Sequence, residues 1–154
     1  MGIRPAREED LEEVLRIERE SFPSPWPRRV LRKHLADIFL VYEEGGRILG
    51  YIIATVELLP SLEPFLHILS LAVSSGERGR GIGTALLGSL LGVMEELGIG
   101  RSVLEVRARN LRAVRFYERH GFRRIVLLPR FYRDGEDAYL MVRDVRRGLE
   151  SPRK

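Results

Sequence analysis

The segment GERGRGIGTALL, residues 76–87, constrains this chain more than any other. Glycines and arginines fill its first half, and an apolar run follows directly behind them. Glycine-rich backbone that opens a helix is typical of an anion site, because the N–H groups of the first turn are unpaired and the helix dipole favours negative charge there. The segment therefore predicts an anion-binding turn and a helix over about 82–97.

Two common nucleotide-binding motifs do not fit this turn. A dinucleotide site needs Gly-x-Gly-x-x-Gly after the first strand, but Gly79-x-Gly81 is followed at the third position by Thr84, midway along the chain. A Walker loop needs a Gly-Lys-Ser/Thr step, and the segment has no lysine. Both kinds of nucleotide site are excluded.

The length and composition limit the class of protein. The 154 residues predict a single domain over 1–145 and a frayed tail, RRGLESPRK, over 146–154. No apolar run approaches the roughly 18 residues that a membrane span needs, and the N-terminus lacks the apolar stretch of a signal peptide. The absence of cysteine excludes thiolate metal ligands and a cysteine nucleophile. These features predict a cytoplasmic protein without membrane contact.

The net charge is +4, and nearly all of the positive charge is arginine, because Lys33 and Lys154 are the only lysines. The chain also lacks glutamine and has one asparagine, a composition that favours a thermophilic source, although a GC-rich genome also favours arginine. A basic chain can contact RNA or another polyanion, and a solvated basic surface is the alternative. The arginines that would form a polyanion patch outside the turn are Arg107, Arg109, Arg112, Arg115 and Arg119.

Hydrophobic periodicity and chain breakers predict the element order β-α-α-β-β-β-α-β-α-β-β. The predicted helices lie at about 8–20, 28–36, 82–97 and from Asn110 to about 119. The apolar face of the first helix is formed by Leu11, Val14, Leu15 and Phe22. Gly45–Gly46 predicts a hairpin turn, Asn110 a helix N-cap and Gly121 a helix end. The order describes a mixed α/β sheet with the anion turn in its middle.

The pattern Arg78-x-x-Gly81-x-Gly83, between a strand and an amphipathic helix, resembles the acetyl-CoA loop of the GNAT superfamily of N-acetyltransferases. The downstream segment LEVRARNLRAVRFYERHGF, residues 104–122, is similar to the family's second signature. The residues in register there are Asn110, Ala113, Tyr117, Gly121 and Phe122. The resemblance covers nearly the whole chain and implies a mixed, mainly antiparallel sheet of about seven strands with about four helices, splayed between strands 4 and 5.

Within the superfamily, the chain most resembles enzymes that acetylate protein N-termini. These are the bacterial ribosomal-protein-alanine acetyltransferases and the archaeal and eukaryotic N-alpha-acetyltransferase catalytic subunits. The resemblance implies transfer from acetyl-CoA to the N-termini of ribosomal or other cytosolic proteins, by a monomer or homodimer. A small-amine or antibiotic acetyltransferase is one alternative, and a non-catalytic acyl-CoA- or RNA-binding module is another.

The reaction needs a base, because an α-amine with a pKa of about 7.7–8.0 is largely protonated at neutral pH. By resemblance to the bacterial enzymes, Glu105 takes the amine proton and Tyr117 donates a proton to the departing thiolate of CoA. His67 is a second candidate base, at a position where some N-terminal acetyltransferases carry a catalytic tyrosine or histidine. The structural alternatives are an exposed strand carboxylate, a half-buried core tyrosine and a satisfied histidine. His67 and Glu105 alone are too few ligands to predict a metal site.

The resemblance also assigns the binding residues. Pantetheine is assigned to the backbone of Leu71, Ala72 and Val73, with Asn110 and Tyr117 beside it. The pyrophosphate is assigned to the turn residues Arg78, Gly79, Arg80, Gly81, Ile82, Gly83 and Thr84. Because the chain has no cysteine, direct transfer in a ternary complex is favoured over an acyl-enzyme.

The acceptor peptide is assigned to two loops that together would flank it. The residues are Phe22, Pro23, Ser24 and Trp26 in one loop, and Phe131 and Tyr132 in the other. For Phe22 and Trp26, the alternative is an ordinary role in core packing. Ser24 stands where several archaeal and eukaryotic members have an acid, so no preference for a first residue is carried over.

Overall fold

The structure is a computed structural model that describes residues 2–145. The tail expected over 146–154 lies outside the described residues. The strands and helices are, in chain order, β1 (Gly2–Pro5), α1 (Leu11–Ser21), α2 (Arg28–Lys33), β2 (Ile38–Glu44), β3 (Arg47–Leu58), β4 (Pro64–Val73), α3 (Ile82–Glu96), β5 (Arg101–Arg107), α4 (Leu111–Arg119), β6 (Arg123–Leu128) and β7 (Ala138–Asp144).

The strands form a seven-stranded sheet of order β1-β2-β3-β4-β5-β7-β6. Most pairs are antiparallel, and β4 and β5 run parallel. Their pairing extends only from Leu66↔Ser102 to Ile68↔Leu104, so it ends before either strand does. The expected mixed, mainly antiparallel fold with seven strands and four helices is confirmed, and the short β4–β5 pairing is that of a splayed pair.

The chain divides into two units that are interleaved in sequence. The first comprises Met1–Thr55 and Leu69–Leu97, and the second Val56–Ile68 and Gly98–Lys154. Strands β3 and β4 each contribute residues to both units. The single domain over 1–145 stays a prediction.

The first unit is built on the amphipathic face of α1. Leu11, Val14 and Leu15 are buried as expected, whereas Phe22 lies just past the helix end and only partly packs against the same core. The helix begins at Leu11, later than predicted, because Glu8–Asp10 form a 3-10 turn in which the Asp10 carboxylate accepts the Arg7 backbone N–H at 2.7 Å. This contact fixes the entry of the chain into α1.

The hairpin between β2 and β3 has the predicted two-residue turn. Gly45 and Gly46 have φ angles of 59° and 77°, which favour glycine and match the twist of the strands.

In the second unit, Asn110 caps α4 as predicted, because its side-chain oxygen accepts the Ala113 N–H at 3.1 Å. The helix buries Val114 and Tyr117 and ends at Arg119, ahead of Gly121 with φ 92°. Strand β6 is the last strand of the sheet and lies largely exposed, with an irregular register between Arg124 and Val126. Within residues 2–145, no helix combines the length and the apolar character needed to cross a membrane.

Candidate active site

A row of three side chains from the neighbouring strands β3, β4 and β5 lies in the second unit. His67 Nε2 lies 2.8 Å from Glu105 Oε1, and His67 Nδ1 lies 2.8 Å from Glu57 Oε2. His67 is paired with Val103 in the β4–β5 register. Glu105 lies two residues further along β5 and therefore on the same face of the sheet. The imidazole ring is held by a carboxylate at each nitrogen.

These contacts shift the acid–base properties of the histidine. The hydrogen bond to Glu105 raises the pKa of His67 above its ordinary value, partial burial opposes the shift, and the hydrogen bond to Glu57 adds to it. The ring therefore holds its second proton to higher pH than an ordinary histidine does. Among residues 2–145, no group of three histidine, cysteine or acidic side chains is arranged to hold a metal ion.

Tyr117 projects from α4 into an aromatic cluster. Its ring packs edge-on against Phe116 and Phe122, with centroid distances of 5.2 and 5.6 Å. Burial, and to a lesser extent the charge of Tyr132, raises the pKa of Tyr117 far above its ordinary value. The side chain remains a neutral phenol over the whole physiological range, so it is always available as a hydrogen-bond donor.

Tyr132 lies in the loop between β6 and β7, next to the charges of β5. The guanidinium carbon of Arg107 lies 4.0 Å from the centroid of the Tyr132 ring, and Arg107 also pairs with Asp134 at 3.0 Å. Burial raises the pKa of Tyr132, Arg107 lowers it, and Glu105 raises it again. The adjacent Phe131 packs edge-on against this ring at 5.0 Å but is 47% exposed. Tyr132 thus shares the electrostatic surroundings of Glu105.

The glycine-rich turn belongs to the first unit and has left-handed backbone at two of its glycines. Gly79 and Gly81 both have a φ of 84°, and Gly81 is the N-cap of α3. A Cβ on Gly81 would meet no atom of the protein within 4 Å. Within the protein, glycine is required here for its left-handed backbone. The residues that the resemblance assigns to pantetheine are the last three of β4, and they lie just ahead of the turn in the chain: Leu71, Ala72 and Val73.

The arginines of the turn are held in place by polar partners. Arg78 donates to the Val73 carbonyl at 3.1 Å and to the Ser21 hydroxyl at 3.3 Å. Arg80 lies between Glu77, at 2.5 Å, and Glu44, at 2.9 Å. Hydrogen bonds first to Glu44 and then to Glu77 raise the pKa of Arg80. The remaining turn residues named from the sequence, Ile82, Gly83 and Thr84, form the first turn of α3.

The loop between α1 and α2 is anchored by a carboxylate that the sequence analysis did not single out. Glu18 is 3% exposed, accepts the Trp26 backbone N–H at 3.0 Å and also accepts the Tyr51 hydroxyl. Phe22 and Trp26 pack against the core, as their structural alternative predicts. Pro23 and Ser24 are exposed. This loop belongs to the first unit and Tyr132 to the second, so a shared peptide path stays a prediction.

Glu57 is the other residue that sequence reasoning missed. The only sign of it in the sequence is that it is a single acid inside the apolar run IIATVELL. The alternation of a strand places such an acid on one face but does not say which neighbour it meets. Only the strand order brings Glu57 beside His67.

The chain is similar over residues 11–122 to the Acetyltransferase (GNAT) family. An uncharacterized N-acetyltransferase of Methanocaldococcus jannaschii is 42% identical over 147 residues, covering 93% of this chain and 91% of that protein. An N-alpha-acetyltransferase of Sulfurisphaera tokodaii is 37% identical over 150 residues, covering 90% of each protein. The crystal structure of Ard1 from Thermoplasma volcanium superposes with a TM-score of 0.88 at 31% identity, covering 94% of this chain and 97% of that one.

Proposed function

The chain belongs to the GNAT family of acetyltransferases, and we propose that it acetylates the N-terminal α-amine of proteins, ribosomal proteins among them. Membership of this family makes it an acetyl-CoA-dependent N-acetyltransferase. The α-amine acceptor is supported by the N-alpha-acetyltransferase of Sulfurisphaera tokodaii, which aligns over 90% of this chain. The observation that supports the proposal most is the contact of Glu105 with His67, since it orients a carboxylate on β5 that the resemblance assigns as the base.

Glu105 is the proposed proton acceptor. The α-amine arrives largely as an ammonium group, which has no lone pair for attack on the thioester. An N–H bond of the ammonium breaks as an O–H bond forms on the carboxylate, and the freed lone pair attacks the carbonyl carbon of acetyl-CoA. The nitrogen, now bonded to the carbonyl carbon, gives its second proton to water. The C–S bond then breaks as the C=O bond re-forms, CoA leaves as a thiolate, and Glu105 returns its proton to solvent.

Tyr117 is the proposed partner of the departing thiolate. A thiol has a pKa of about 8.5, taking free cysteine as the guide, and the pKa of Tyr117 is raised well above that of an ordinary phenol. Full proton transfer from the phenol to the thiolate is therefore uphill. We therefore assign Tyr117 a hydrogen bond that stabilises the negative charge developing on the sulfur. This role replaces the full proton donation expected from the sequence. The proton of the product thiol comes from water.

The glycine-rich turn is the proposed site for the pyrophosphate of acetyl-CoA. It opens the 15-residue helix α3, whose first-turn N–H groups and dipole attract an anion. The free space beside Gly81 permits close approach to the backbone, and Arg78 and Arg80 add positive charge. Phosphate oxygens can compete with Glu44 and Glu77 for Arg80. Asn110 and the end of β4 are proposed to hold the pantetheine arm.

The finer assignments remain parts of the proposal. They are a cytoplasmic location, a thermophilic source, and a monomeric or homodimeric state. The relatives aligned above are archaeal, which supports the proposal of a thermophilic source organism.

A peptide panel tests the acceptor class. Purified protein is incubated with acetyl-CoA and peptides that begin with Ser, Ala, Thr, Met or Glu, and CoA release and product mass are measured. Each peptide has a matched control in which the α-amine is blocked and an internal lysine is retained. We expect acetylation of free α-amines only. Modification of the blocked peptides, or of spermidine in preference to every peptide, would contradict the proposal.

A further inference from the structure

Glu57 has no part in the steps above, yet it lies as close to the His67 ring as Glu105 does. Both carboxylate–nitrogen distances are 2.8 Å. The side chains of His67 and Glu105 are 20% and 22% exposed, whereas that of Glu57 is 43% exposed. A side chain at the rim of the row therefore makes a contact as short as the one at its inner end.

The two contacts together determine how many protons the ring carries. Each contact at this distance needs one hydrogen between its heavy atoms, because a nitrogen lone pair repels a carboxylate oxygen. A neutral imidazole between two ionised carboxylates has one N–H for two contacts. An imidazolium has two, so it satisfies both carboxylates at once.

We propose that Glu57 is a positioning residue for the acetyl transfer: its carboxylate fixes the His67 ring and keeps both ring nitrogens protonated, so that His67 orients Glu105 and Glu105 accepts the amine proton. This inference rests on the proposed function, because it assigns a role within the same reaction. It removes His67 as the base, since a ring that already carries both protons cannot accept a third.

The surrounding charges agree with this assignment. Besides Glu57 and Glu105, the described groups that act on this region include the Tyr132 phenol and the Arg107 guanidinium, which is itself paired with Asp134. Two carboxylates around one imidazolium leave the row with an overall charge of minus one, which attracts an ammonium group. The hydrogen bond from His67 occupies Glu105 Oε1, leaving the second carboxylate oxygen for the acceptor amine.

The first test follows the ring itself, with no substrate present. The three histidines of the chain are labelled with 15N, and the His67 signals are assigned by their loss in His67→Ala. We expect both His67 nitrogens to be protonated at neutral pH in the wild type. Glu57→Gln keeps an oxygen acceptor but loses the charge, so the His67 pKa should fall by about one unit or more. Glu57→Asp should retain most of the elevation, and Glu95→Gln, an exposed acid on α3, should change nothing.

A neutral His67 ring in the wild type at pH 7 would overturn the proposal. So would an unchanged His67 pKa in Glu57→Gln. These outcomes are independent of catalysis, so they decide the role of Glu57 even if the peptide panel shows that the proposed function is wrong.

The second test follows the reaction. Because the protonated ring orients Glu105, kcat/KM on an N-terminal peptide should decline at high pH as His67 loses its proton. Glu57→Gln should move this decline to lower pH by about one unit and reduce kcat/KM about tenfold near pH 8. The KM for acetyl-CoA should stay constant, and Glu57→Asp should restore most of the activity. A uniform loss at all pH values, without rescue by aspartate, would mean a merely structural role and contradict the inference.

Discussion

His67 and Glu105 are joined by a 2.8 Å hydrogen bond across β4 and β5, close to the point where the pairing of these strands ends. The bond orients a strand carboxylate, because the histidine occupies one of its oxygens and holds the side chain in one position. It also means that substitutions of either residue affect the other, so their effects on the rate should not add.

Replacing Glu105 with glutamine preserves the shape of the side chain but removes the proposed base. We expect kcat/KM on an N-terminal peptide to fall by about 10² to 10⁴ near pH 7. The loss should shrink toward pH 9, because more of the α-amine is then already neutral. A pH–rate profile of Glu105→Gln and His67→Ala checks this. Nearly wild-type activity of Glu105→Gln between pH 6 and 9, together with a collapse in His67→Ala, would make His67 the base.

Replacing Tyr117 with phenylalanine removes the proposed hydrogen bond to the leaving thiolate. We expect a loss in kcat of about tenfold near pH 7, which is the size of one hydrogen bond of about 1.4 kcal/mol. The deficit should be smaller than that of Glu105→Gln and should stay constant between pH 6 and 9, because burial raises the pKa of Tyr117 and the phenol keeps its proton throughout. The ring contacts with Phe116 and Phe122 remain, so the Tm and the acetyl-CoA affinity should hardly change. Wild-type kcat at pH 7 would remove Tyr117 from the step.

Gly81→Ala, at the N-cap of α3, and Gly88→Ala, inside α3, form a matched pair. Neither added Cβ meets an atom within 4 Å, but Gly81 has a φ of 84° whereas Gly88 lies in the helix interior. Gly81→Ala should strain the turn by about 1–2 kcal/mol and weaken acetyl-CoA binding at least tenfold, or about 1.4 kcal/mol. Gly88→Ala should stabilise the helix by about 0.5–1 kcal/mol. Calorimetry that finds equal acetyl-CoA affinity for both variants would contradict a role of the turn in cofactor binding.

Tyr132→Ala should raise the KM for the peptide much more than the KM for acetyl-CoA, because the Tyr132 ring lies in the loop proposed to bind the acceptor. Tyr132→Phe retains the ring over which Arg107 stacks and serves as the control. Steady-state kinetics with each substrate varied in turn makes the comparison. If both Michaelis constants of Tyr132→Ala match those of the wild type, the loop is not part of the peptide site.

Asp10 should make the stability of the protein sensitive to acid. The hydrogen bond from Arg4, at 2.8 Å, lowers the pKa of this buried carboxyl. A lowered folded-state pKa adds stability that is fully present above the unfolded pKa of about 3.9 and is lost as the pH falls through the folded value. Asp10→Asn should therefore cost about 2 kcal/mol at pH 7 and progressively less in acid. Urea unfolding at several pH values measures the difference, and a constant difference at every pH would exclude the ion pair as its cause.

The sequence predicts those parts of the fold that depend on local chemistry. Gly45–Gly46 and Asn110 identify a hairpin and a helix start, because the turn and the cap each depend on residues close together in the chain. Phe22 and Trp26 are less well determined, because the same aromatic side chains suit a core and a peptide site. Their packing against the core became evident only from the structure.

The contacts of Glu57 and Glu18 cannot be predicted from the local sequence. Glu57 is separated from His67 by 10 positions and Glu18 from Tyr51 by 33. Each contact depends on how two different elements of the fold are arranged beside each other, and a single sequence carries no signal for that arrangement. The left-handed backbone of Gly81 could not be predicted either. A sequence does not distinguish a glycine needed for left-handed backbone from one needed for close approach to a ligand.

Strand β6 has a bearing on how the protein behaves at high concentration. Ile125, Val126 and Leu127 are about half exposed on the last strand of the sheet, a place where a strand from another molecule can add. Arg123 and Arg124 at the start of the strand, and the irregular register that follows, are features that oppose such addition. We therefore expect these arginines to protect colloidal solubility without a role in acetyl transfer, so that solubility and catalysis can change independently in this chain.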